Sequence, residues 1–128
     1  MNHAHTLVQA WHHALNNGDV ERLVSVIASD VKIGGPRGIT SGANVVRDWF
    51  GRANVRFIPL QWFVHENLVV VEQRGEWLDE TGAITGTAIV ATSFTVSGEV
   101  ISEIRRFDTL GAALEASGLS PSDQVSLA

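Results

Sequence analysis

Three charged residues stand at every second position of a stretch that is otherwise apolar. Glu72, Arg74 and Glu76 follow the run Leu-Val-Val-Val at residues 68–71. Because side chains alternate along a β-strand, the three charges would share one face. A carboxylate held ionised by neighbouring positive charge can act as a general base. Glu76 is therefore the candidate base, if the protein is an enzyme.

A second stretch, residues 99–107, shows the same pattern. Ile101, Glu103, Arg105 and Phe107 would share a face. Charges are unfavourable inside a protein unless they are paired or used, so two inward faces would form a polar pocket. Arg74 and Arg105 would then orient Glu76 and a substrate oxygen. There are two alternatives to a catalytic role. The charges could form an ion-pair network that braces the interior, or the arginines could clamp a ligand carboxylate or carbonyl oxygen.

Composition restricts the class of protein. The 128 residues are 45% hydrophobic, with a net charge of −5 and no cysteine. One domain over residues 1–118 is expected, with a loosely ordered tail at 119–128. Aromatic residues are not interleaved with Lys or Arg, so no nucleic acid is expected as a partner. No signal peptide or membrane-length apolar run is visible, and the expected localisation is cytoplasmic.

Hydrophobic periodicity changes halfway along the chain, from helical to strand spacing. We expect a helix at 5–17, a second one capped by Asp19, a short strand at 31–33 and a third helix capped by Ser41. Strands at 55–65, 68–78, 85–96 and 99–107 follow, and then a helix at 110–116 capped by Asp108. This order predicts an α+β fold in which three N-terminal helices pack on a curved, mostly antiparallel sheet.

Register across the two hairpin turns predicts which side chains share a face. A turn at Glu66-Asn67 places Gln61 opposite Glu72, and a turn at Ser97-Gly98 places Thr92 opposite Glu103. The face with aromatic residues around a few charges is expected to line a cavity for an apolar small-molecule ligand. Its candidate ligand-binding residues are Trp11, Trp49, Gln61, Phe63, Glu72, Thr92, Glu103 and Phe107.

The opposite face of the predicted sheet is more apolar than a monomer usually exposes. We expect it to form the contact of a homodimer packed sheet to sheet. The residues that motivate this expectation are Ile58, Leu60, Trp62, Val64, Val69 and Val71.

Histidines raise the question of a metal site, because four of the five lie within the first 13 residues. His12 and His13 are adjacent on a helix and diverge by about 100°, while His3 and His5 lie at the terminus. These side chains would not converge on one point. Neither a metal nor another cofactor is expected.

Four short segments carry a resemblance to a known family: residues 17–19 (Asn-Gly-Asp), 29–31 (Ser-Asp-Val), 97–101 (Ser-Gly-Glu-Val-Ile) and 106–108 (Arg-Phe-Asp). With the order of elements, they make residues 5–117 resemble the nuclear transport factor 2-like superfamily. This superfamily includes ketosteroid isomerases, SnoaL-type polyketide cyclases, scytalone dehydratase and limonene epoxide hydrolases. The resemblance implies a cone-shaped α+β barrel, but the superfamily hosts many chemistries as well as proteins that are not enzymes.

The resemblance implies where catalytic residues would lie. The Arg-Gly-Glu sequence at 74–76 is similar to the Arg-x-Asp of limonene epoxide hydrolases, but Arg105 replaces their second Asp. Trp11 and Gly35 stand where ketosteroid isomerases have a Tyr and an Asp, so isomerase activity of that kind is not expected. The expected function is acid–base chemistry without a cofactor (a hydrolase, isomerase, dehydratase or cyclase) on an apolar oxygenated small molecule. A non-catalytic ligand-binding module or a protein-interaction module of the same fold is the alternative.

Overall fold

The computed structural model of the chain describes residues 2–35 and 38–125. The first half contains two helices, a strand hairpin and a third helix, and the second half contains the long strands. In chain order the elements are α1 (His3–Asn16), α2 (Val20–Ser25), β1 (Ile27–Gly35), β2 (Gly38–Ser41), α3 (Ala43–Ala53), β3 (Val55–His65), β4 (Leu68–Leu78), β5 (Ile84–Ser97), β6 (Val100–Phe107), α4 (Leu110–Ser117) and β7 (Gln124–Val125).

The helix starts follow local capping chemistry. The Asp19 carboxylate accepts a hydrogen bond from the backbone N–H of Arg22 at the start of α2, as predicted. Two other predicted caps are wrong by one residue. Ser41 ends β2, and Gly42 precedes α3 with no side-chain hydrogen bond. Thr109, not Asp108, caps α4.

One mixed sheet holds all seven strands, in the order β2-β1-β6-β5-β4-β3-β7. Strands β3 to β6 form the predicted antiparallel meander, while β1 joins its far side parallel to β6. Strand β1 is longer than predicted, and β2 lies between the predicted strand and the third helix, where no element was predicted. Neither extension is visible in local periodicity, because both depend on pairing with partner strands. The expected α+β architecture is confirmed.

The sheet has two faces that are covered by different elements. We call the face packed against α1 and the N-terminal half the inner face. It forms the main core, which includes Trp62, Val69, Val71 and Phe94. The other, outer face is partly covered by α4 through a smaller cluster that includes Phe63 and Leu114.

Two irregularities in the strands decide which side chains reach which face. In β3, Pro59 pairs with Gln73 and Gln61 pairs with Glu72, so Leu60 is an extra residue. In β6, Ile101 pairs with Val96 and Glu103 with Thr95, which leaves Ser102 as the extra residue. The Ser102 hydroxyl donates to the carbonyl of Thr95 and so satisfies one backbone group at the bulge. Each extra residue reverses the facing of the positions beyond it.

The C-terminal segment differs from the expected loose tail over its described part. Leu119 is buried, Pro121–Asp123 form one turn of 3-10 helix, and β7 pairs with β3 at Trp62 and Phe63. Residues 126–128 lie outside the described residues. None of the helices in the described ranges is both long and apolar enough to cross a membrane.

Candidate functional site

The charged cluster singled out in the sequence lies on the outer face. Gln73, between Glu72 and Arg74, points inward and contacts His12 of α1, so its two neighbours point outward. The Glu76 carboxylate is nearly buried between two guanidinium groups, 3.4 Å from Arg56 Nη2 and 3.4 Å from Arg74 Nε. This arrangement matches the ion-pair alternative, not a base inside a cavity.

Arg105 does not join Glu76, contrary to the expected three-residue site. It pairs with Ser93 on the outer face, and its guanidinium lies 5.1 Å from the ring centroid of Phe107. The prediction that Ile101, Glu103, Arg105 and Phe107 share a face is wrong, because the bulge at Ser102 turns Ile101 inward and the other three outward.

Five of the predicted ligand-binding residues also lie outside the cavity. The predicted pairing of Gln61 with Glu72 is confirmed, and their side chains share a 2.8 Å hydrogen bond on the outer face. Phe63 and Phe107 pack in the cluster under α4, and Glu103 lies beside Thr95. The predicted pairing of Thr92 with Glu103 is wrong, since Thr92 pairs with Arg106.

The apolar face that was expected to contact a second copy is largely core. Trp62, Val69 and Val71 are buried beneath the helices, with Val64 packed against them. The assignment of faces was therefore inverted for β4 and for the part of β3 beyond its bulge, and the face argument for a dimer is wrong for these four residues. Two of the expected contact residues lie outside the core, since Leu60 is exposed at the β3 bulge and Ile58 pairs with Arg74 on the outer face.

A cavity of about 550 Å³ opens between the helices, the β1–β2 hairpin and the inner face of the sheet. Trp11, Trp49 and Thr92, three of the predicted ligand-binding residues, line it. The Trp49 ring stacks at 11° on Phe57, with centroids 6.4 Å apart. The remaining lining residues are Ile33, Gly34, Gly35, Gly38, Thr40, Val45, Val46, Arg52, Ile104 and Arg106.

The charges in this lining have one sign. Arg52 from α3 and Arg106 from β6 are exposed side chains at the cavity, and no Asp or Glu lines it among the described residues. Neither guanidinium forms an ion pair with a described carboxylate. The cavity thus offers apolar walls and two positive charges that have no carboxylate partner in the described part of the chain, in a protein whose net charge is negative.

A chain of buried hydrogen bonds leads from the cavity wall into the core. The Thr92 hydroxyl donates to Gln73 Oε1 over 2.7 Å, and Gln73 Nε2 lies 2.7 Å from His12 Nε2. His12 Nδ1 lies 2.9 Å from the carbonyl oxygen of Val8. Burial lowers the pKa of His12 to about 4, despite the opposing hydrogen bond to Val8. The imidazole is therefore neutral at neutral pH.

Sequence reasoning missed His12, Gln73 and Arg106 as site residues, although signals were present for the first two. His12 follows Val8 by four residues, so it lies on the buried side of α1. Gln73 continues the inward alternation of Val69 and Val71. Within residues 2–35 and 38–125, no three His, Asp or Glu side chains converge as metal ligands would.

Comparison of the whole fold defines the class. The structure superimposes on an NTF2-like protein of unknown function from Cytophaga hutchinsonii with a TM-score of 0.74 at 14% identity, covering 89% of this chain and 96% of that one. Two further similar structures contain ligands. One, from Mycobacterium tuberculosis, is in complex with estradiol-17beta-hemisuccinate (TM-score 0.74, 16% identity, 87% and 97% covered). The other, with a ketosteroid isomerase-like fold, comes from Catenulispora acidiphila and is in complex with trimethylamine (TM-score 0.67, 23% identity, 89% and 93% covered).

The chain thus has the NTF2-like α+β fold. Residues 8–108 match the SnoaL-like domain, and the chain belongs to this family. No match is found among the sequences of curated proteins.

Proposed function

We propose that this protein binds an apolar small molecule that carries an anionic group, in the cavity beneath α3. The observation that carries the proposal is the pair Arg52 and Arg106, which border an apolar cavity without a carboxylate partner among the described residues. Apolar walls supply most of the affinity for such a ligand, and charged hydrogen-bond donors fix its orientation.

The size of the cavity and the nature of one relative's ligand support this proposal. A cavity of about 550 Å³ lies within the range of volumes typical of small-molecule pockets. The hemisuccinate bound by the Mycobacterium tuberculosis protein combines an apolar body with an acidic group. Acid–base catalysis by Glu76 has less support, because Glu76 lies on the outer face and its carboxylate is held by Arg56 and Arg74. We therefore favour binding without turnover.

The arginines can be tested with naphthoic acid and its uncharged amide, using titration calorimetry. The acid should bind the wild-type protein about 10-fold more tightly than the amide, as expected for a charge-assisted hydrogen bond. Arg106→Gln should remove most of that preference and leave amide binding unchanged. Arg52→Gln should act in the same direction.

Arg105→Gln is the matched control, because Arg105 is the next residue on β6 but lies on the outer face. It should leave both affinities unchanged, and so should Glu76→Gln. Equal binding of acid and amide by the wild-type protein would contradict the proposal. An effect of Arg105→Gln as large as that of Arg106→Gln would contradict the assignment of the faces.

We also propose a homodimer through the part of the outer face that α4 leaves open. There Ile89 is 52% exposed beside Arg74 on the neighbouring strand. Arg56, Arg74 and Glu76 give this patch charges of both signs, which suits a twofold contact in which each copy meets the other's opposite charge. Sedimentation should show a dimer at micromolar concentration and a monomer for Ile89→Arg. A monomeric wild-type protein would rule out this contact.

A further inference from the structure

The buried chain from Val8 to Thr92 has a direction that can be worked out atom by atom. A carbonyl oxygen only accepts hydrogen bonds, so the 2.9 Å contact with Val8 requires the proton of His12 on Nδ1. A neutral imidazole has one proton, and Nε2 is therefore an acceptor. The Gln73 amide nitrogen, 2.7 Å away, donates to it.

The donor and acceptor roles along this chain of hydrogen bonds also determine the direction in which the Thr92 hydroxyl points at the cavity wall. Because the amide nitrogen of Gln73 faces His12, its carbonyl oxygen faces Thr92. This oxygen accepts a hydrogen bond from the Thr92 hydroxyl, with 2.7 Å between the two oxygens. A threonine hydroxyl has a single proton and two lone pairs. Because that proton is already donated to Gln73, the Thr92 hydroxyl can accept a hydrogen bond from a ligand but cannot donate one.

We infer that the ligand carries a hydroxyl group, which donates a hydrogen bond to Thr92 at the inner end of the cavity. This inference rests on the proposed binding function and narrows its ligand to hydroxylated apolar acids. Reversing the Gln73 amide would place its carbonyl oxygen against the unprotonated Nε2 of His12, two acceptors face to face, so the acceptor character of Thr92 is set by the fold. Trp11 lines the same cavity, and its indole N–H has no partner among the described residues. A hydroxyl group is able to accept from such a donor while it donates to Thr92.

Paired ligands test this inference. A set of hydroxynaphthoic acids with the hydroxyl at different positions is titrated beside the methoxy counterpart of each. A methoxy oxygen accepts but does not donate, so it would meet Thr92 acceptor to acceptor. The best hydroxy acid should bind about 10-fold more tightly than its methoxy counterpart, the size expected for one buried hydrogen bond.

Substitutions at Thr92 supply the control. Thr92→Val keeps the shape of the side chain and removes its oxygen. The ratio of the affinities for the hydroxy acid and its methoxy counterpart should therefore fall to about one, with methoxy binding unchanged. Thr92→Ser keeps the hydroxyl and should retain the preference, which also covers the case in which the valine variant fails to fold. Equal binding of hydroxy and methoxy acids by the wild-type protein would overturn the inference and leave the proposed function standing. If none of the acids binds, the proposed function fails and the inference fails with it.

The direction of the chain can be measured without any ligand. Nitrogen-15 NMR distinguishes a protonated from an unprotonated ring nitrogen, and His12→Gln assigns the signals. We expect a protonated Nδ1 and an unprotonated Nε2 in His12 at neutral pH. A proton on Nε2 would overturn the inference, because the Gln73 amide would then be reversed and Thr92 free to donate.

Discussion

The free energy of unfolding should fall by about 3 kcal/mol as the pH is lowered from 7 to about 4, because of His12 alone. Burial lowers the pKa of this histidine from its ordinary value of 6.5 to about 4 in the folded protein. Between these two values the unfolded chain takes up a proton that the folded protein does not, so acid favours unfolding. This contribution to stability is complete above pH 6.5 and is lost as the pH approaches 4.

Urea denaturation at a series of pH values measures this effect. His12→Gln has no titrating group at this site, so its stability should vary less between pH 6.5 and 4 than that of the wild-type protein. His13→Gln is the matched control, since the neighbouring side chain is exposed and should leave the pH dependence intact. A His12→Gln variant with the full wild-type slope would show that His12 is not buried in its neutral form.

Replacing Phe94 by alanine should destabilise the protein by about 3–5 kcal/mol, the range for deleting a fully buried aromatic ring. Phe94 is completely buried, and its ring meets those of Trp11 and His12 at centroid distances of 5.2 and 5.7 Å. The deletion leaves a hole beneath the cavity wall that these rigid rings cannot fill. Naphthoic acid should bind more weakly as well, because Trp11 loses its support.

Phe107→Ala is the comparison for this substitution. Phe107 is half-buried on the outer face, so its truncation should cost about 1–2 kcal/mol and leave ligand binding unchanged. Both free energies follow from urea denaturation with a common slope. Equal losses for the two variants would contradict the position of Phe94 at the centre of the core.

The sequence was sufficient for the architecture but not for the facing of the strands. Helix caps, turns and strand periodicity are local signals, so α2, β3, β4 and the Glu66-Asn67 hairpin were predicted correctly. Successive side chains of a strand lie on alternate faces of the sheet, so one extra residue reverses the face of every position beyond it. Pro59 was a usable signal, because proline inside a strand marks an edge or a bulge. Ser102 offers no comparable signal.

The candidate site shows the same limit. Trp11, Trp49 and Thr92 were chosen from the sequence and do line the cavity, whereas Glu76 and Arg105 point away from it. Arg105 was predicted to face the cavity, but its neighbour Arg106 does so. The bulge at Ser102 alone determines which of the two side chains faces inward. The parallel pairing of β1 with β6 has no local signature at all, since the two strands lie far apart in the sequence.

That pairing has a consequence for how the protein folds during synthesis. Ile33 of β1 reaches its partner Ile104 only after most of the chain has left the ribosome. Contacts so distant in sequence slow folding, because a long loop must close before they form. Until then the sheet does not cover the β1–β2 hairpin or the apolar sides of α1 and α3. Exposed surfaces of this kind favour aggregation. The cavity is completed only when β6 docks, so a ligand that binds there favours the last step of folding over the incomplete states.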